Sequence, residues 1–236
     1  MSLAQDTKDL DPLLAQLQLT DSGFPSGLYT LSHGLEGYVQ IGAAGSADLR
    51  GLLTDLLYNS VGPGDATALV LAHRAVGAGD WDRLVEVDRR LHAIKLNREQ
   101  RSASARTGRQ VLDTAVWAFA SPEAARLAAL VAEKATPGNH AVVVGAIHAG
   151  MGVPVAHAVA GDLYAFAAGW TAAAVRLGRT DFRRAQQILG EVRPDLARVA
   201  RAALGAEDPR DLNGSVPVAD TVSAAHERAA ARLFIT

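Results

Sequence analysis

Apolar residues recur along the chain at intervals of three and four. Leu49, Leu52, Leu53, Leu56 and Leu57 form one such stripe, the pattern that buries one side of a helix. Start and stop signals fall where the stripes begin and end. Ser121-Pro122-Glu123 sets a cap, a first-turn proline and a first-turn acid before Ala124 to Ala135, and Pro137-Gly138 closes that helix. Asp181 is placed to cap a helix running toward Gly190, and Pro194 to open another that stops at Gly205. No segment alternates as a half-buried strand does. Ala141 to Ile147 is a β-branched run, and its alanine and glycine flanks favour a helix. The pattern predicts helices near 12–20, 28–41, 47–60, 65–77, 81–95, 98–119, 122–135, 140–150, 155–177, 182–204 and 217–233, some of them merging.

The connectors Gly62-Pro63-Gly64 and Gly77-Ala78-Gly79 are too short to link domains, and no repeat of fixed period is present. The expectation is an all-α fold: one compact helical domain of about ten helices over residues 12–236, behind a flexible segment at 1–11. From Ala141 to Gly161 no residue is charged, a length that would suit a membrane span. Within it lie His148, His157, Pro154 and four glycines, so two buried helices broken near Gly152 and Pro154 fit better.

Composition supports this reading and narrows the function. Hydrophobic residues make up 49% of the 236 positions and charged residues 20%, enough for a core and too apolar for long disorder. Alanine, the strongest helix former, supplies about a fifth of the chain. A net charge of −2 argues against a protein held to nucleic acid mainly through phosphates. With no cysteine there is neither a disulfide scaffold nor a thiolate metal site. Met1 to Asp11 holds Asp6, Lys8, Asp9 and Asp11 without an apolar core, so no signal peptide is expected, and a cytoplasmic location follows as an expectation.

Signs of catalysis are weak. His140, His148 and His157 are separated by eight and nine residues, with no acid three or four positions away to share a metal on one helix face. His226 and Glu227 are adjacent, which on a helix points the two side chains apart. A phosphate-binding Gly-x-x-x-x-Gly-Lys-Ser/Thr loop is missing, and Ser22 and Ser26 lack the Gly-x-Ser-x-Gly elbow of a nucleophile. Arg98, Arg101, Arg106 and Arg109 form the chain's basic run; without interleaved aromatics it reads as a packed helix with a solvated cationic edge.

Three segments carry a family resemblance. The first is Leu19 to Glu36, which reads Leu-Thr-Asp-Ser-Gly-Phe-Pro-Ser-Gly-Leu-Tyr-Thr-Leu-Ser-His-Gly-Leu-Glu. Pro25 and Gly27 suggest a turn into a helix that places Tyr29, Ser32 and Glu36 on one face. The second is Arg101 to Leu112, with its arginines, small residues and Gly108-Arg109. The third is His226-Glu227-Arg228 followed by Arg232-Leu233-Phe234-Ile235-Thr236. Together they resemble the urease accessory protein UreF family, and Ala172 to Leu177 with Ala185 to Leu189 fit as well. One departure is plain: where many relatives carry a Pro-x-Gly-Gln turn, this chain reads Gly178-Arg179-Thr180-Asp181-Phe182.

The resemblance implies a non-enzymatic, all-helical protein that binds no cofactor stoichiometrically and acts in nickel delivery. Such proteins bridge UreD (also called UreH) and the GTPase UreG, regulate GTP hydrolysis by UreG while apo-urease receives nickel, and form homodimers. Partner-facing residues on this reading are Tyr29, Ser32, Glu36, Arg101, Gly108, Tyr164, Arg176, Arg232, Leu233 and Phe234. Arg101 would pair with an acid and Gly108 would let two helices approach closely. For Tyr29 and Glu36 the competing reading is a half-buried core tyrosine and a solvated acid. The C-terminus is expected to dock on UreD; the competing reading has Leu233 and Phe234 fold back onto the core. The alternative to the whole assignment is an all-α metal-binding protein or enzyme using His140, His148 or His157.

Overall fold

The structure, a computed structural model, describes residues 10–44, 49–214, 216–229 and 232–235. These form helices with no strand among them. They are α1 (Leu10–Thr20), α2 (Leu35–Gln40), α3 (Leu49–Leu56), α4 (Thr67–Gly77), α5 (Trp81–Ile94), α6 (Arg98–Ala118), α7 (Pro122–Ala132), α8 (His140–Gly150), α9 (Val155–Arg176), α10 (Phe182–Leu204) and α11 (Pro217–His226). A 3₁₀ turn spans Leu28–Thr30 and a π-helical segment spans Leu57–Ala66. Of the flexible segment expected at 1–11, residues 1–9 lie outside the described residues, while Leu10 and Asp11 already belong to α1.

The core is built around α4 and α8. Along α8 every residue from Ala141 to His148 is buried, which is why its sequence carries no polar face. A Cβ on Gly145 would stand 3.2 Å from the Leu69 backbone carbon, so glycine permits α4 and α8 to cross nearly in contact. The loop into α8 is held by Asp88, fully buried on α5. Its carboxylate accepts from Thr136 Oγ1 at 2.6 Å, Gly138 N at 2.7 Å and Asn139 N at 3.0 Å. That network satisfies loop donors that burial would otherwise leave unpaired.

The apolar stretch 141–161 breaks where expected. Gly152 adopts φ 70° and Pro154 precedes α9, so the run divides into α8 and the start of α9. Alone, α9 is long and apolar enough to cross a membrane, but Leu163, Ala167, Trp170 and Ala174 are buried within this domain.

Three expectations are corrected. The helix expected over 28–41 is two pieces, because His33 (φ 51°) and Gly34 (φ 86°) turn the backbone left-handed between them. Pro194 does not open a helix but sits inside α10. The buried stripe Ile188, Leu189, Val192, Leu196, Val199 and Ala203 runs through it at helical spacing, and that burial offsets the hydrogen bond proline cannot donate. The helix expected over 217–233 ends at His226, and the chain turns back from there.

Candidate interaction site

The N-terminal signature is a sequence of fixed turns. Asp21 accepts the Gly23 N–H at 2.7 Å, and Phe24 stacks on Phe119 with ring centroids 6.1 Å apart. Gly27, at φ 75°, leads into the 3₁₀ turn that carries Tyr29. Ser32 is buried, and its Oγ accepts the Glu36 N–H at 3.2 Å, tying the start of α2. Gly37 lets α2 lie directly on α11: a Cβ there would stand 2.6 Å from Val222 Cγ1.

Glu36 is therefore carried into the interior, where it is 6% exposed. It accepts from His226 Nε2 at 2.9 Å, from the Leu233 N–H at 2.7 Å and from the Phe234 N–H at 2.9 Å. The other ring nitrogen of His226, Nδ1, faces Glu99 Oε2 at 3.3 Å, and Arg232 Nη1 donates to Glu99 Oε1 at 2.8 Å. Glu99 is placed by the cap of α6, where Asn97 Oδ1 accepts its N–H at 2.8 Å. Two carboxylates thus meet His226 and Arg232 in one cluster, each ring nitrogen of His226 facing a different carboxylate. Burial alone would push the Glu36 carboxyl up; the N–H groups of Leu233 and Phe234 and the His226 contact outweigh it and hold the group below its ordinary value.

The tail is fixed at two further points. The Ile235 N–H donates to Thr30 O at 3.0 Å. Arg176, at the end of α9, lies between two rings, its guanidinium carbon 4.0 Å from the Tyr29 centroid and 4.4 Å from that of Phe234. Its Nη1 also donates to Tyr29 O at 2.6 Å. Tyr29, Ser32, Glu36, Arg176, Arg232, Leu233 and Phe234 are brought together here, but not as one helix face. Ser32 and Glu36 point inward and Phe234 is 3% exposed, whereas Tyr29 is 72% and Leu233 66% exposed. The tail folds back onto its own chain, the reading set against docking on a partner, and Glu36 is neither partner-facing nor solvated.

The remaining residues stand elsewhere. Among the described residues Arg101 pairs with no acid; Nη1 donates to the carbonyls of Lys95 and Leu96 beyond the end of α5. Gly108 is buried where α6 meets the loop into α8, and a Cβ there would lie 2.8 Å from His140 N and 2.9 Å from the Asn139 carbonyl carbon. It does permit close approach, within this chain. Tyr164 is exposed on α9 and makes none of the cluster's contacts. In the altered turn, Gly178 takes φ 65° and Asp181 caps α10 by accepting from Arg183 N and Arg184 N.

The three histidines of the alternative reading do not converge. His140 Nε2 faces Asp162 Oδ1 at 3.4 Å, His148 is fully buried and His157 is exposed. Burial lowers His148 to about 4, leaving a neutral ring at neutral pH. Among the described residues no three His, Cys, Asp or Glu side chains gather as a metal site. His140 and Asp162 instead line a cavity of about 150 Å³ shared with His33, Lys95 and Phe166.

Glu99 is a member of the cluster that lies outside the three motifs. Nothing local in the sequence points that acid at His226.

Comparison with known proteins bears on the same segments. The UreF family model matches residues 43–193. The urease accessory protein UreF of Trichodesmium erythraeum (strain IMS101) is 32% identical over 231 residues, covering 96% of this chain and 97% of the relative. That of Yersinia pestis (strain Pestoides F) is 29% identical over 224 residues, covering 94% and 97%. The family model stops short of both the Glu36 turn and the tail, while the full-length relatives extend over nearly the whole chain.

Proposed function

The chain belongs to the UreF family of urease accessory proteins, and from that premise we propose that it serves urease maturation as a scaffold bridging UreD and the GTPase UreG. The supporting observation is the cluster at Glu36. It joins the N-terminal signature to the C-terminal tail, leaving Leu233 and Ile235 exposed on the tail and Tyr29 exposed against the Arg176 guanidinium. Aromatic, aliphatic and arginine side chains in one patch suit an interface, since they combine apolar area with directed hydrogen bonds. Every donor on the Glu36 carboxylate is structural, and the cluster offers no nucleophile beside a free base. Its role is to hold a surface in shape.

On this reading UreD covers the tail side, and the chain regulates GTP hydrolysis by UreG without catalysing it. Nickel is the cargo of the assembly, not a resident cofactor, and the location is cytoplasmic. A homodimer is part of the proposal. Leu10, Leu13, Leu14 and Leu17, at spacings of three, four and seven on α1, are all exposed and form a leucine face suited to a second copy. Co-expression of the full chain with its neighbouring UreD and UreG tests the bridge. Copurification of both, with UreG lost when UreD or this chain is omitted, supports it. Independent binding of UreG to UreD with no gain from this chain overturns it.

A further inference from the structure

The arginines of α6 are not equivalent. Arg98 pairs with Glu227, Arg101 donates to backbone carbonyls, and Arg109 Nε donates to its own helix at Ala105 O, 3.1 Å away. Arg106 has no carboxylate among the described residues, and its Nη2 is shut off from water without an acceptor. A partly desolvated guanidinium with no counter-charge is unusual, because buried charged donors are normally paired.

Arg98, Ser102 and Arg106 recur at intervals of four and share a face of α6. The tail supplies the facing wall with Arg232 and Ile235, and a groove of about 320 Å³ lies between them. Glu99 and Glu227 also line it. Each is already engaged, Glu99 by Arg232 and His226 and Glu227 by Arg98. Arg106 remains as the uncompensated cation of the groove. The groove is continuous with Ile235, and so with the exposed tail surface.

We propose that this groove receives an acidic segment of the partner protein that covers the tail, with one Asp or Glu carboxylate on the Arg106 guanidinium and a neighbouring apolar side chain against Ile235. It rests on the scaffold reading and adds the chemistry of the contact. A protein carboxylate fits better than a nucleic-acid backbone. One uncompensated cation matches one carboxylate rather than a run of phosphates, and the space accommodates a few side chains rather than a strand of nucleotides.

The test uses the full chain and two probes: a labelled peptide alternating Glu and Leu with its Gln–Leu counterpart, and a single-stranded oligonucleotide. The Glu peptide is expected to bind roughly tenfold tighter than the Gln peptide, with the difference shrinking in high salt. Arg106→Gln should abolish that difference, Arg106→Lys should retain part of it, and both should melt as the parent does. In co-expression, Arg106→Glu should reduce UreD capture. Equal binding of the two peptides, or tighter binding of the oligonucleotide, overturns the proposal. So does unchanged UreD capture by a folded Arg106→Glu or, where that variant fails to fold, by Arg106→Gln. If the parent chain captures no UreD at all, the scaffold reading itself fails, and the peptide titration still decides the groove.

Discussion

Glu36 and His226 lie 190 residues apart in the chain and meet at 2.9 Å in its interior. The contact closes the N-terminal turn onto α11, and the same carboxylate then accepts two N–H groups from the tail. One side chain thus couples the ends of the described chain, so its loss reaches well beyond one hydrogen bond.

Glu36→Ala removes the acceptor for His226, Leu233 and Phe234 together. Breaking a buried charged pair while leaving its partners unsatisfied costs about 3–5 kcal/mol. Urea unfolding should show a loss of that order, and hydrogen exchange should show lost protection at Leu233 and Phe234. A melt like the parent's, with the tail still protected, would contradict the anchoring role.

The depressed Glu36 value makes the latch sensitive to acid. Its folded value lies below the ordinary one, so the contribution is complete above the ordinary value and is lost as pH falls through the folded value. As pH falls below the ordinary glutamate value of 4.5, the parent should lose stability faster than Glu36→Gln, which has no carboxylate to protonate. Parallel stability curves for the two proteins would show that the group does not act this way.

Local signals carried most of the fold. Caps such as Asp181 and Ser121 mark helices whose starts match closely. What they could not carry were decisions made by tertiary contacts. His33 takes a left-handed backbone that nothing in its neighbours requires, and the single helix read over 28–41 therefore put Tyr29, Ser32 and Glu36 on one face when only Tyr29 faces out. Pro194 looked like a start because proline usually is one, and the stripe on either side of it outweighed that local preference. The motifs marked two segments that meet at Glu36, but a motif does not show that its acid is buried.

Gly108 tests a close approach that sequence did anticipate. An added Cβ would stand 2.8–2.9 Å from backbone atoms of Asn139 and His140, in a loop that Asp88 holds rigid. Overpacking of this kind costs about 1–3 kcal/mol, so Gly108→Ala should lower the melting temperature and Gly108→Leu should lower it further. Unchanged melting in both would mean that the loop yields freely.

The tail separates packing from recognition residue by residue. Phe234 is buried against the Arg176 guanidinium, whereas Leu233 and Ile235 keep much of their apolar surface in water. Phe234→Ala should therefore destabilise the protein by about 3–5 kcal/mol, the usual cost of emptying a buried aromatic site. Leu233→Ser and Ile235→Ser alter side chains that are 66% and 43% exposed in the free chain, and both leave the backbone donors to Glu36 and Thr30 in place. Their melting should shift by no more than about 0.5 kcal/mol, as exposed substitutions do. If the tail surface docks UreD, capture of UreD by the double variant should fall by roughly tenfold or more, because apolar anchors at the centre of an interface dominate its energy. Melting and capture must be measured on the same preparations. Capture that persists in the double variant but is lost in Phe234→Ala only as that protein unfolds would assign the tail to folding alone.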